Sequence, residues 1–368
     1  VTDANNHATA YQLNVNGQVT QITDARNGVS GFTYAADFNT LTVTDPLNHT
    51  TTMTYDARGN VLTRTNALNE MTTYTYNAQN DLTSIQDALN HTTTYAYDNG
   101  NLVSITDPLN HVTTYGYNGF GQRTNVTDAN SRVTIYGYNT AGYLVSVTDA
   151  LNHTTTYDYD AVGNRESVTD ARSNITTMTY DGNNRQSSSV NALSQTTTYG
   201  YDANGNRTSV IDALNHTTTF TFDALNRQTA NVNALNQTTS YGYDAVGNRL
   251  SVTDANNHTT NYGYDELNRQ TSMTNALGQT TTYGYDAAGN RISIENANGH
   301  TTTYGYDALN RQESVTDALN HTTSYDYDAA GNRVSVTDAR NHTTTYAYDA
   351  ANRLTSTTNA LNETTTYG

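Results

Sequence analysis

The feature that most constrains this sequence is a 21-residue repeat that runs through nearly all of its 368 residues. The second aromatic residue of each Tyr-x-Tyr-Asp motif recurs every 21 residues, apart from one step of 20 between Tyr97 and Tyr117. Leu13 extends the series by one unit toward the N terminus. A fixed period of this size predicts copies of one supersecondary unit, each packed on its neighbours. The series is Tyr34, Tyr55, Tyr76, Tyr97, Tyr117, Tyr138, Tyr159, Tyr180, Tyr201, Phe222, Tyr243, Tyr264, Tyr285, Tyr306, Tyr327 and Tyr348.

Each unit contains two turn signals and two short runs of strand-forming residues. Asp-Ala-x-Gly-Asn, after the second aromatic, predicts a turn with Gly in the left-handed position and a β-bulge beside it. Asp-Ala-Leu-Asn-His predicts a second turn, in which Asn tolerates that conformation. The runs between them, such as Thr-Thr-Thr-Tyr-Gly-Tyr, predict strands of about six residues. No run has helical periodicity, so we expect an all-β fold of tandem 21-residue β-hairpin repeats.

A longer period is superimposed on the first from Tyr159 onward. Arg follows the aromatic by six residues in one set of units and by five in the other, and the two sets alternate. The alternation predicts a structural unit of two hairpins, 42 residues long, in this half. The six-residue set is Arg165, Arg207, Arg249, Arg291 and Arg333, and the five-residue set is Arg185, Arg227, Arg269, Arg311 and Arg353.

The number of strands restricts the architecture. Seventeen units supply about 34 strands, and antiparallel strands spaced ~4.8 Å apart would form a ribbon ~160 Å long. Open twisted sheets of more than about ten strands curl. We therefore expect a spiralling antiparallel sheet that forms a hollow shell or tube, with the Tyr pairs aligned in stripes along one face. A parallel β-solenoid with one unit per coil is the alternative fold.

Composition excludes several classes of function. The chain has no Cys, so it has neither disulfides nor thiolate metal sites. Its net charge is −17 and all 17 basic residues are Arg, which predicts no nucleic-acid partner. No apolar run approaches the roughly 18 residues of a membrane span. The mean hydropathy of −0.71 would by itself suggest disorder, whereas the 30 Tyr and abundant Thr favour strands.

The motif Tyr-Asp-Ala-x-Gly-Asn-Arg, as at Tyr159 to Arg165 and Tyr327 to Arg333, resembles that of the YD-repeat family, also called Rhs repeats. The resemblance covers nearly the whole chain. It implies a spiralling β-sheet shell, which encloses a toxic C-terminal domain in bacterial toxin systems and forms a large extracellular structure in teneurins. We find no self-cleaving segment, plug or toxin domain in this sequence.

His and Asp are the candidate metal ligands. The recurrent His lie 21, 42 or more residues apart, without the close spacing of zinc sites, so we expect each of them to stand at the exit of a turn and bond to backbone. The Asp-rich turns lack a known calcium-loop pattern, so we expect Asp to cap its own turn and leave Ca²⁺ as a weak alternative. We predict no metal or cofactor site. The recurrent His are His49, His91, His153, His216, His258, His321 and His342.

Catalysis needs residues in distinct environments, whereas every unit here offers the same carboxylates. We therefore predict no catalytic residue and no enzyme activity. Asn-x-Thr sequons recur, and we interpret them as turn residues followed by a Thr-rich strand rather than as glycan acceptors. The sequons are Asn48, Asn90, Asn152, Asn215, Asn320 and Asn341.

Regular units of constant length favour a structural scaffold: an extracellular tube or filament on a bacterial surface, with copies of itself as partner. The first alternative is a shell that encloses a C-terminal toxin cargo, and the second is a surface adhesion or carbohydrate-binding module. The chain begins and ends within a unit, at Val1 and Gly368. We expect residues 1–368 to be one tandem-repeat region of about 17 units, a window of a longer chain without separate domains.

Overall fold

The computed structural model describes all of residues 1–368, and every regular element is a strand. The 35 strands are β1 Ala10–Leu13, β2 Val19–Thr23, β3 Val29–Tyr34, β4 Thr40–Thr44, β5 Thr50–Tyr55, β6 Val61–Thr65, β7 Met71–Tyr76, β8 Leu82–Gln86, β9 Thr92–Asp98, β10 Asn101–Thr106, β11 Val112–Tyr117, β12 Arg123–Thr127, β13 Val133–Tyr138, β14 Leu144–Thr148, β15 Thr154–Tyr159, β16 Arg165–Thr169, β17 Ile175–Tyr180, β18 Gln186–Val190, β19 Thr196–Tyr201, β20 Arg207–Ile211, β21 Thr217–Phe222, β22 Gln228–Val232, β23 Thr238–Tyr243, β24 Arg249–Thr253, β25 Thr259–Tyr264, β26 Gln270–Thr274, β27 Thr280–Tyr285, β28 Arg291–Glu295, β29 Thr301–Tyr306, β30 Gln312–Thr316, β31 Thr322–Tyr327, β32 Arg333–Thr337, β33 Thr343–Tyr348, β34 Leu354–Thr358 and β35 Thr364–Thr366.

The strands form one unclosed antiparallel sheet in which each strand pairs with its neighbours in sequence. In β15, for example, Thr155 lies opposite Val147 of β14 and Tyr157 lies opposite Val168 of β16. The predicted all-β hairpin fold is therefore confirmed. The β-solenoid alternative is wrong, because its coils would place neighbouring strands parallel.

Both turns have the predicted chemistry. In the second turn, Oδ1 of Asp149 accepts hydrogen bonds from the backbone N–H groups of Leu151 and His153, at 2.8 and 2.9 Å. Asn152 is the left-handed residue of that turn, with φ of 65°. In the first turn Gly163 has φ of 95°, in the region that Gly occupies at little cost. Each turn thus satisfies its own backbone donors within five residues.

A β-bulge lies beside each first turn of five residues. The register of β15 on β16 shifts between Asp158 and Tyr159. In the next hairpin, the hydroxyl of Thr179 lies 2.8 Å from Ser187 Oγ and 2.7 Å from Ser188 Oγ, so these two consecutive residues share one side of the sheet. A bulge bends its strand and increases the local twist, and here it recurs in the units whose first turn has five residues, from β1–β2 to β33–β34.

No hydrophobic side chain is buried, so the chain has no conventional core. One face of the sheet carries the Tyr pairs, such as Tyr157 and Tyr159, which are half-buried, and the other carries exposed Thr156 and Asp158. The low aliphatic content suits a sheet one layer thick, because such a sheet has no interior to fill.

Contacts group the residues into two compact units. Unit 1 comprises Val1–Gly100, Ile105–His111 and Asn261–Gly368, and unit 2 comprises Asn101–Ser104 and Val112–Thr260. Unit 2 is a continuous run of hairpins apart from its first segment. Unit 1 brings together hairpins that are far apart in the sequence. The structure contains no helix that could cross a membrane.

Candidate functional site: the two rows of turns

The repeated side chains concentrate in the turns, which form two rows, one at each end of the strands. We call the turns that follow the second aromatic the Tyr-Asp turns, and the turns at the opposite ends of the strands the distal turns. The Tyr-Asp turns are residues 14–18, 35–39, 56–60, 77–81, 98–101, 118–122, 139–143, 160–164, 181–185, 202–206, 223–227, 244–248, 265–269, 286–290, 307–311, 328–332 and 349–353. The distal turns are residues 3–7, 24–28, 45–49, 66–70, 87–91, 107–111, 128–132, 149–153, 170–174, 191–195, 212–216, 233–237, 254–258, 275–279, 296–300, 317–321, 338–342 and 359–363.

Arg of the five-residue set is the last residue of its own Tyr-Asp turn and joins that turn to the next turn along the row. Nε of Arg185 donates to Asp181 Oδ2 at 2.8 Å, and Nη1 donates to the backbone carbonyl of Asp202 at 2.9 Å. The guanidinium also lies over the ring of Tyr201, 4.6 Å from its centroid. One side chain thus holds its own turn and the next hairpin. Arg227, Arg269 and Arg311 make the same three contacts.

From Tyr159 onward, Asn makes the alternate link, from each Tyr-Asp turn that ends in Asn to the following turn, which ends in Arg. Nδ2 of Asn164 donates to Asp160 Oδ2 at 2.8 Å and to Asn184 Oδ1 at 3.0 Å. The alternating Arg and Asn links give the predicted 42-residue unit a physical basis. Sequence reasoning identified the alternation but missed the partners in the next turn. The equivalent Asn pairs are Asn206 with Asn226, Asn290 with Asn310, and Asn332 with Asn352.

Arg of the six-residue set lies on the Tyr face instead. The guanidinium of Arg333 lies 5.6 Å from the ring centroid of Tyr325 and 5.4 Å from that of Tyr346. The hydroxyl of Tyr159 donates to the carbonyl of Leu144 at 2.9 Å, a bond that recurs along the sheet. The Tyr stripes are thus interleaved with Arg and tied to backbone, with ring stacking at Tyr143 and Tyr159, whose centroids are 5.0 Å apart.

The recurrent His pair with Asp inside their own distal turns. Nδ1 of His153 lies 3.0 Å from Asp149 Oδ2, and the same pair recurs in the other Asp-containing distal turns that end in His. The backbone N–H of His153 holds the pKa of Asp149 below its ordinary value, since it bonds to the carboxylate form. No group of three or more His, Asp or Glu side chains is placed to hold a metal ion.

The carboxylates of the Tyr-Asp turns are also engaged. Asp56 Oδ1 accepts from the backbone N–H groups of Arg58 and Asn60, at 2.8 and 2.9 Å, and Asp56 Oδ2 accepts from Asn60 Nδ2 at 3.0 Å. The Asn60 side chain, helped by those N–H groups, lowers the pKa of Asp56 to about 2. The expectation that Asp caps its own turn is therefore confirmed.

The sequon Asn residues occupy the left-handed position of the distal turns. Asn48, Asn90 and Asn152 have φ of 67°, 68° and 65°, and each precedes a strand rich in Thr. This placement gives Asn a conformational role in the turn. Whether these residues carry glycans stays a prediction.

Within unit 1 the two rows of turns meet. Nη1 of Arg26, in a distal turn, lies 2.9 Å from Oδ2 of Asp265, in a Tyr-Asp turn, and Nε of Arg26 lies 3.8 Å from Glu266. Farther along, Ala350 lines the same cleft as Asp107 and Pro108 of a distal turn. The first contact joins residues 239 apart, and no local sequence signal pointed to it.

These contacts cover Leu side chains. Leu89 of unit 1 is 37% exposed, whereas Leu151 of unit 2, in the identical sequence Asp-Ala-Leu-Asn-His, is 74% exposed. Leu309 in a unit 1 Tyr-Asp turn is likewise half-buried, whereas Leu225 in the same sequence context of unit 2 is 65% exposed. The exposed fraction of Leu89 is therefore half that of Leu151, as expected where one row of turns stacks on another.

Comparison with known proteins gives matches at the level of family and fold. The RHS Repeat model matches residues 243–280, 264–299, 285–322, 313–343 and 327–364, and the Teneurin YD-shell model matches residues 48–223 and 121–252. No curated protein matches the sequence.

Solved structures with a similar fold include the TcdB2-TccC3-Cdc42 crystal structure, at 16% identity and a TM-score of 0.79 over 95% of this chain and 23% of that one. The crystal structure of TcdB2-TccC3 without its hypervariable C-terminal region is similar over 94% of this chain and 22% of that one, at 16% identity and a TM-score of 0.79. A Tc holotoxin pore of Photorhabdus luminescens matches with the same four values. The chain thus spans less than a quarter of each of these solved chains.

Proposed function

Since the chain belongs to the RHS-repeat and YD-shell family, we propose that it is a non-catalytic wall, which forms an extracellular tube or filament on a bacterial surface. The family and the fold are those of a structural shell. The tube, its location outside the cell and the absence of catalysis are the proposal.

The constant spacing between stacked turns carries the proposal. Asp265 comes 241 residues after Asp24, and Asp349 comes 242 residues after Asp107. In both places the covering turn is the twelfth Tyr-Asp turn after the distal turn that it covers. A closed shell that tapers would need shorter intervals toward its ends, whereas a tube needs a constant interval.

The chemistry of the turns supports a wall without catalysis. Asp149 lies in a distal turn and Asp160 in a Tyr-Asp turn. Both accept hydrogen bonds from backbone N–H groups through Oδ1 and have a side-chain partner at Oδ2. Acid–base catalysis would need carboxyl groups whose environments drive their pKa values apart. Here the environments are alike, and the turns use the carboxylates to hold the backbone.

The second candidate is a shell around a cargo domain. It is supported by the similarity to TcdB2-TccC3, whose description includes a hypervariable C-terminal region. In that case this chain would be part of the wall of a longer polypeptide, and its interior face would contact the cargo.

Electron microscopy of the native full-length protein without fixation separates the two candidates. Long fibres of uniform width are the expected result and would exclude a closed shell. Discrete hollow particles of fixed size with density inside would overturn the tube and support enclosure of cargo.

A further inference from the structure

The Tyr face of the sheet carries positive side chains but no carboxylate between the two rows of turns. Arg165 is exposed on this face, opposite Tyr159, and its guanidinium lies 5.7 Å from the ring centroid of Tyr157. The guanidinium of Arg123 lies 5.1 Å from the ring centroid of Tyr136 in the same way. The exposed Arg of this face are Arg64, Arg123, Arg165, Arg207, Arg249, Arg291 and Arg333.

The carboxylates of the strands lie on the opposite face. Oδ2 of Asp158 accepts a hydrogen bond from Ser167 at 2.7 Å, on the face that also carries Thr156. Glu295 lies opposite Thr282 on that face. The net charge of −17 is therefore unevenly distributed, because the negative charge belongs to the turns and the opposite face. The carboxylates of that face are Asp158, Glu166, Glu295, Glu313 and Asp326.

The Arg of the Tyr face are not neutralised by the turns beside them. Arg165 directly follows a Tyr-Asp turn, in which Asp160 already accepts from the backbone N–H and from Nδ2 of Asn164, both at 2.8 Å. The guanidinium of Arg165 lies away from this turn, along the strand. Arg123, Arg165 and Arg207 thus retain their positive charge on this face. The Arg that pair with Asp all belong to turns, and they are Arg26, Arg58, Arg132, Arg185, Arg227, Arg269, Arg311 and Arg353.

We propose that the Tyr face of unit 2 binds an acidic segment of a partner protein in an extended conformation. The inference goes beyond the proposed wall and holds for a tube and for a shell alike. Further hairpins flank the binding surface on both sides. We call this surface the Arg–Tyr stripe, and it comprises Arg123, Tyr136, Tyr157, Arg165, Tyr199 and Arg207.

The side chains of the Arg–Tyr stripe favour a polypeptide as the partner. Interfaces between proteins are enriched in Tyr and Arg and depleted in Lys, Asp and Glu, as this surface is. Tyr157 and Tyr199 are half-buried, so part of each ring stays available for apolar contact. The guanidinium groups supply paired N–H donors that match the two oxygens of a carboxylate. Charge complementarity therefore selects an acidic segment.

The spacing of the Arg residues favours an extended polypeptide over nucleic acid. Successive Arg of the stripe are 42 residues apart in sequence and four strands apart in the sheet, which is ~19 Å at ~4.8 Å per strand. An extended polypeptide advances ~3.3 Å per residue, so carboxylates about six residues apart would meet successive Arg. Duplex DNA carries one charge per ~1.7 Å, so the stripe would neutralise only a small fraction of its phosphates.

Fluorescence anisotropy of a labelled oligoglutamate peptide tests the proposal on the 368-residue chain, at an ionic strength at which the Debye length is about 10 Å. A face variant carrying Arg123→Gln, Arg165→Gln and Arg207→Gln should bind the peptide about thirtyfold more weakly than the wild type. Each exposed ion pair contributes about threefold to that loss. Gln fits this position, because Gln186 and Gln228 occupy it in alternate units.

A turn variant is the matched control. Arg132→Gln, Arg172→Asn and Arg340→Asn remove the same three charges from exposed distal-turn residues. Gln195 and Asn130 show that these residues fit the two turn positions. The turn variant should bind oligoglutamate like the wild type, because the stripe is intact. Equal weakening in the two variants, or a wild-type chain that does not bind oligoglutamate, would overturn the proposal.

Single-stranded oligothymidylate is the second probe, and it separates a polypeptide partner from a general anion site. The wild type and the face variant should bind oligothymidylate equally weakly. A loss of oligothymidylate binding in the face variant as large as its loss of oligoglutamate binding would overturn the assignment to a polypeptide. Circular dichroism of the face variant should match that of the wild type, since Gln is native to this position in neighbouring units.

Discussion

Arg311 provides a sharp test of how neighbouring hairpins are held together along the row of Tyr-Asp turns. Its Nε donates to Asp307 Oδ2 at 2.7 Å, its Nη1 donates to the carbonyl of Asp328 at 3.2 Å, and its guanidinium lies 4.7 Å from the ring centroid of Tyr327. The perturbation is Arg311→Ala. It removes three contacts, of which two reach the next hairpin.

The expected cost follows from those contacts. We assign about 0.5–1 kcal/mol to the partly exposed ion pair, about 1 kcal/mol to the charged hydrogen bond and about 0.5–1 kcal/mol to the cation–π contact. The total of about 2–3 kcal/mol is local, because repeat proteins couple each unit chiefly to its neighbours. About 2 kcal/mol corresponds to a roughly thirtyfold larger population of the locally open state.

Hydrogen exchange measured by mass spectrometry resolves this effect. In the Arg311→Ala variant, amides of both the 307–311 and 328–332 turns should exchange faster than in the wild type. Arg333→Ala is the matched control, because Arg333 is exposed and contacts Tyr325 and Tyr346 by cation–π geometry alone, at 5.4–5.6 Å, so its loss should cost about 1 kcal/mol for the two contacts together. Equal effects of the two variants, or an effect that stops before residue 328, would refute the proposed link.

Three further outcomes test the turns. Gly205→Ala should destabilise its hairpin by about 1–2 kcal/mol, because Gly205 has φ of 91°. Gly182→Ala should not, because Gly182 has open space around it and no positive φ. Equal denaturant midpoints for the two variants would contradict this. Asp149→Ala should lower the melting temperature, because it removes the acceptor for two backbone N–H groups. Asp149→Asn should not lower it, since Asn191 caps its own turn in the same way. Equal melting curves for the two variants would contradict this prediction. Acid should unfold the chain as the pH falls from 3.8 toward 2, the interval between the ordinary pKa of Asp and that of Asp56 in the fold. Folding lowers the pKa of these carboxyl groups, so the unfolded chain binds more protons and stability is lost as pH falls through the folded values. Circular dichroism during acid titration measures this, and a transition above pH 5 would count against it.

Sequence determined the local structure because each unit satisfies its own backbone within a few residues. Asp149 accepts the N–H groups of Leu151 and His153, and Asn152 supplies the left-handed residue. The strands, both turns, the bulge and the 42-residue alternation were therefore predictable from the residue types and their spacing. The partners of Arg185 and Asn164 were not, because they lie in the next turn along the row.

The stacking of rows was decided by the tertiary structure alone. Asp87–His91 and Asp149–His153 have the same five residues, yet Leu89 is half as exposed as Leu151. Identical sequences cannot specify which of them is covered. Which turn is covered depends on the position at which the curved sheet meets its own earlier strands. Small bends at successive bulges add up to set that position, and they bring Arg26 to Asp265, 239 residues away. The sequence thus determined the unit and its turns, and the accumulated curvature determined which turns meet.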